Sequence, residues 1–149
     1  MSAHAAATVE DTGFSLERRF AVTPERLWAA WTDPDALSRW FGPRSAEVLE
    51  SHVDLRVGGR YRIVMRTPNG ETLEVGGAYQ EVEPPHTLSF SWAWSGTPER
   101  ESLVTVRLIA TTGGTELTLN HNRLFDRDTT ELHLAGWSES LEKLTACVG

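Results

Sequence analysis

Between Ala46 and Asn122 the chain reverses direction five times, and no reversal leaves room for a parallel crossover of a dozen residues. Six segments there read as strands: 46–55, 60–67, 71–82, 86–94, 101–110 and 115–122. They are separated by Gly58-Gly59, Pro68-Asn69-Gly70, Glu83-Pro84-Pro85, Ser95-Gly96-Thr97-Pro98 and Gly113-Gly114. Links this short dictate antiparallel neighbours. Asn69-Gly70 predicts a type I′ hairpin, and Gly76-Gly77, inside the longest segment, predicts a bulge that bends the sheet. A seventh strand precedes them at Phe14–Val22, where Phe14, Leu16, Phe20 and Val22 share one phase. Arg18 interrupts that phase, as expected near an edge or a cavity mouth.

A sheet of seven strands with one apolar face needs a cover, and the rest of the chain has little to offer. Thr23-Pro24-Glu25 and Asp33-Pro34-Asp35 are two helix starts, each with a capping residue, a proline and an acid in order. They predict two short helices forming an elbow that carries Leu27, Trp28, Trp31, Leu37, Trp40 and Phe41 and stops at Gly42-Pro43. The one long helix lies at 128–148, where Leu134, Trp137, Leu141, Leu144 and Val148 recur at helical spacing. One helix cannot fill the concavity of seven strands, so unfilled volume is expected between them.

Composition narrows the use of that volume. With 14 Lys+Arg against 21 Asp+Glu the net charge is −7, and the basic residues are scattered, which argues against nucleic acid. A single cysteine, Cys147, excludes an internal disulfide framework and a Cys-rich zinc site. No apolar run approaches the length of a membrane span. The opening MSAHAAATVEDT has neither a basic nor an apolar signal region, so a cytoplasmic protein is expected. Residues 1–12 read as a flexible tail and 13–149 as one domain.

Strand phase selects the inward residues. Leu88, Phe90, Trp92 and Trp94 share a face, as do Tyr61, Ile63 and Met65, and Leu73 and Val75. Val104, Val106 and Leu108 are another such set, and Leu117, Leu119 and His121 the last. These groups could line a cavity or simply pack a core. An inward His121 could orient a ligand carbonyl or move a proton near neutral pH, or sit half-buried against a backbone carbonyl. His133, one turn before Trp137, could face the same space from the helix. Tyr61 adds a polar tip, better suited to a core hydrogen bond than to catalysis. No third ligand accompanies the two histidines, so no metal is expected, and no phosphate-binding or nucleophile motif points to a cofactor or a catalytic site.

Six stretches in order carry a resemblance: Glu17-Arg18-Arg19-Phe20, Pro24 to Pro34 (PERLWAAWTDP), Arg39-Trp40-Phe41-Gly42-Pro43, Gly58-Gly59-Arg60-Tyr61, Leu117-Thr118-Leu119-Asn120-His121 and Gly136-Trp137. Together they resemble the START/birch-allergen-like (SRPBCC) superfamily. Within it they resemble the bacterial family homologous to the heat-shock-protein-90 ATPase activator. The resemblance implies an α+β helix-grip fold of order β-α-α-β6-α, in which a curved seven-stranded antiparallel sheet wraps a long C-terminal helix around an apolar cavity. It implies no single activity, because relatives include lipid and hormone binders, polyketide cyclases and chaperone regulators. The expected ligand-binding set is Tyr61, Ile63, Met65, Leu73, Val75, Phe90, Trp92, Val104, Val106, Leu117, Leu119, His121, His133, Trp137 and Leu141. The expected function is binding of a small hydrophobic molecule. The alternatives are a cyclase- or hydratase-type enzyme with His121 as acid–base, and a chaperone-activator-like module with a protein partner or as a homodimer.

Overall fold

Thr23 and Asp33 start the helices as their residue types dictate. Thr23 Oγ1 accepts the Arg26 N–H at 3.2 Å and opens α1 (Pro24–Thr32). Asp33 serves two helices at once: its N–H donates to Ala29 O at 3.0 Å, ending α1, and its Oδ1 accepts the Asp35 N–H at 2.9 Å, opening α2 (Pro34–Trp40). Trp40 Nε1 then donates to Ala30 O at 3.0 Å, which closes the elbow.

The computed structural model describes residues 6–148. Ahead of the elbow lie strands β1 (Ala6–Glu10) and β2 (Gly13–Phe20). After it come β3 (Glu47–Val53), β4 (Arg60–Arg66), β5 (Thr72–Glu83), β6 (Thr87–Trp94), β7 (Ser102–Thr111) and β8 (Gly114–Asn122). The chain finishes in helix α3 (Arg127–Val148). All neighbouring strands are antiparallel, in the order β1-β2-β8-β7-β6-β5-β4-β3. This is the helix-grip arrangement.

Three expectations need correction. The sheet has eight strands, because Ala6–Glu10 pairs with β2 where a tail was expected; residues 1–5 lie outside the described residues. Of β1's described side chains only Val9 is half-buried, so backbone pairing makes this edge strand and hydrophobic periodicity could not announce it. The turn after β4 is not type I′: Gly70 alone has positive φ, its N–H donates to Thr67 O at 2.9 Å, and Pro68 takes the first central position, where its fixed negative φ is required. The bulge in β5 falls at Tyr79–Glu81 rather than at Gly76-Gly77. Gly77 serves close approach instead, since a Cβ there would overlap the Ser91 carbonyl.

Trp137, Leu141 and Leu144 of α3 are buried against the inner face, joined by Phe14, Leu16 and Phe20 of β2 and by Leu27, Trp31 and Trp40 of the elbow. Leu134 is half-buried at the edge of this core.

Candidate functional site

A cavity of about 330 Å³ remains between the first half of α3, the loop after α2 and the inner face of β4–β6. Trp92 and Trp94, two residues apart on β6, form its back wall, with Met65 from the end of β4 and Leu73 from the start of β5. Phe41, Gly42 and Pro43 close one side. Leu132, His133, Gly136, Trp137 and Ser140 close the other, because spacings of three and four place them on one helical face. Leu132, 73% exposed, marks the mouth.

Apart from the Trp92 indole N–H, the polar side-chain groups around this space are hydrogen-bonded within the protein. His133 Nδ1–H donates to Thr129 O at 2.8 Å, and its Nε2 accepts the Trp94 indole N–H at 2.9 Å. Ser140 Oγ donates toward Gly42 O at 2.8 Å and lies 3.0 Å from Gly136 O. Burial pushes the His133 pKa down, and these two partners match the neutral ring.

His121 lies behind the wall, fully buried. Its Nδ1 accepts the Trp137 indole N–H at 3.1 Å. Its Nε2 carries the proton and donates to Ser102 Oγ at 2.7 Å, and that hydroxyl donates onward to Trp92 O at 3.2 Å. Burial, and secondarily the His133 ring 5.2 Å away, hold its pKa well below the ordinary histidine value. Each ring lone pair of the two histidines is therefore taken by an indole N–H. The arrangement fixes Trp94 and Trp137, two walls of the cavity, in position.

Of the residues expected from sequence, Met65, Leu73, Trp92, His133 and Trp137 come together at this cavity. Tyr61, Ile63 and Phe90 border a second, much smaller cavity of about 20 Å³. There the Tyr61 hydroxyl is committed to Ser91 O at 2.7 Å, and burial raises its pKa. Val75, Val104, Val106, Leu117, Leu119, His121 and Leu141 line neither space, each being buried against its neighbours. Gly42, Pro43, Leu132, Gly136 and Ser140 were not anticipated. The helix residues among them flank the apolar stripe of α3, and a search over the neighbouring face would have found them. Phe41, read as an elbow residue, is a cavity wall, and Trp94 shares the phase of Trp92.

Two indole N–H groups, Trp31 Nε1 and Trp92 Nε1, are buried without an acceptor among the described residues. No helix among the described residues is long and apolar enough to cross a membrane.

Solved structures share this architecture over nearly the whole chain. The AHSA1 protein from Silicibacter pomeroyi is 34% identical with a TM-score of 0.81, over 90% of this chain and 95% of that one. A protein from Rhodobacter sphaeroides is 30% identical with a TM-score of 0.81, over 96% and 97%. CalU16 from Micromonospora echinospora is 26% identical with a TM-score of 0.70, over 98% and 85%. No curated protein matches the chain. The model of a family described as activator of Hsp90 ATPase homolog 1-like protein matches residues 21–149, and the chain belongs to that family.

Proposed function

We propose that the protein binds a small, mainly apolar ligand in the cavity between β4–β6, the loop after α2 and α3. The observation that carries this reading is the cavity itself: about 330 Å³, walled by Phe41, Trp92, Trp94 and Trp137, in a size range suited to small molecules. Aromatic walls offer rigid contact area at low entropic cost. Each 100 Å² of apolar ligand surface removed from water contributes about 2.5 kcal/mol. Because His133 and Ser140 are already hydrogen-bonded internally, affinity rests on shape and apolar burial.

An acid–base role for His121 has less support. Its two ring nitrogens are engaged, and Trp92 and Trp137 stand between it and the cavity. Membership of the activator-like family leaves a protein partner compatible with the fold.

The test is titration with the apolar fluorophore 1-anilinonaphthalene-8-sulfonate. Near one equivalent is expected to bind the native protein, and Trp92→Ala or Gly136→Leu to weaken it at least fivefold. Enhancement seen only as the protein unfolds would overturn the reading. Native mass spectrometry of protein purified from its own host should show a co-purifying small molecule.

A further inference from the structure

The two cavities share one lining residue, Phe41. On β4 the large cavity is bordered by Met65 and the small one by Ile63 and Tyr61, successive residues of one strand face. On β6, which lies across β5 and runs parallel to β4, the same order recurs, Trp94 and Trp92 for the large cavity, then Phe90 and Leu88 for the small, although Ile63 stands level with Trp94 through Val75. The spaces are therefore adjoining parts of one trough on the concave face, divided along a line that crosses the strands obliquely.

Phe41 enters this trough from a backbone that is held at four successive residues. Its N–H donates to Leu37 O at 3.0 Å, and Lys143 Nζ donates to Phe41 O at 3.3 Å and to Pro43 O at 2.9 Å. Ser140 Oγ holds Gly42 O, the Arg44 N–H donates to Glu139 Oε1 at 2.9 Å, and the Arg44 guanidinium pairs with Glu142. The ring itself lies against Trp92 and Trp137, centroids 5.9 and 5.7 Å away. A fixed backbone and a packed ring make a wall.

We propose that Phe41 is a partition that sets the length of ligand the protein accepts, so that the natural ligand is a short apolar molecule and the small cavity is a subsite closed to it. The inference rests on the ligand-binding reading above and adds to it a size limit with a named cause. The large cavity is open to solvent at the mouth marked by Leu132, so the limit applies to growth of a ligand along the trough toward the small cavity.

Primary n-alcohols from hexanol to tetradecanol, titrated against the protein's tryptophan fluorescence, serve as a ruler. Wild-type affinity should rise about fourfold per methylene and then stop rising once the chain meets the ring. In Phe41→Ala the rise should continue by at least two methylenes, so that the longest alcohols gain at least tenfold in affinity relative to hexanol measured in the same variant. Phe41→Trp should keep the early plateau. Should Phe41→Ala fail to fold, Phe41→Leu carries the test with a smaller extension. Superimposable chain-length profiles in wild type and variant, or an unbroken rise to tetradecanol in wild type, would overturn the partition while leaving the binding site standing. Absence of binding by every alcohol in every variant would overturn the binding reading itself.

Discussion

His121 shows how burial alone can convert a reactive residue type into a structural one. With an indole donating to Nδ1 and a serine hydroxyl receiving Nε2–H, the ring is neutral and links three strands to α3. His121→Gln is expected to lose about 1–3 kcal/mol in urea melts, because an amide cannot meet both partners and leaves a buried group unpaired. Fluorophore affinity per folded molecule should stay unchanged. A variant with wild-type stability and lost binding would place His121 at the ligand instead. Gly77 is the backbone counterpart: Gly77→Ala puts a methyl into the Ser91 carbonyl, and a loss of about 1–3 kcal/mol is expected. A neutral substitution would mean that the β5–β6 ladder yields there without cost.

At the scale of elements, α3 does two jobs with adjacent faces. Leu141 and Leu144 are wholly buried and hold the sheet, while His133, Gly136 and Ser140 border empty space. Leu141→Ala should therefore cost about 2–5 kcal/mol in denaturant melts. A loss below half a kcal/mol would show that α3 is not gripped at that point. Strand β1 is the opposite case, held by backbone pairing to β2 with little side-chain burial. Its amides are expected to exchange with solvent much faster than those of β8, by hydrogen-exchange measurement.

For the whole molecule, one buried and one half-buried neutral histidine make stability depend on pH with a definite sign. Both folded pKa values are depressed below 6.5. In the unfolded chain both rings protonate near 6.5, so stability is fully present above that pH. It is lost as pH falls from there toward the depressed folded values. The slope from His121 alone is about 1.4 kcal/mol per pH unit within that window. Melting temperature should therefore drop between pH 7 and pH 5, and His121→Gln should flatten the curve. A melting temperature constant across that range would mean that the rings bind protons as readily in the folded chain as in the unfolded one.

What the sequence determined by itself was local and periodic. Capping residues and prolines placed the two short helices, period-two alternation placed seven strands, and a three-four repeat placed α3 within one residue of its start. These signals are legible because each depends on neighbours in the chain. The inward direction of Tyr61, Trp92, His121 and Trp137 was legible for the same reason. Whether an inward residue meets a ligand-sized space or another side chain was not, because both environments select the same apolar residues in the same phase. Tertiary packing decided it: α3 packs against β2 and α1 against β7, and together they fill that half of the concavity. Over β4–β6 they stand off, and the Phe41 ring, brought there by the end of α2, divides what is left. Strand β1 was decided at that level too, since its partner lies across a turn and its pairing uses backbone groups that every residue carries.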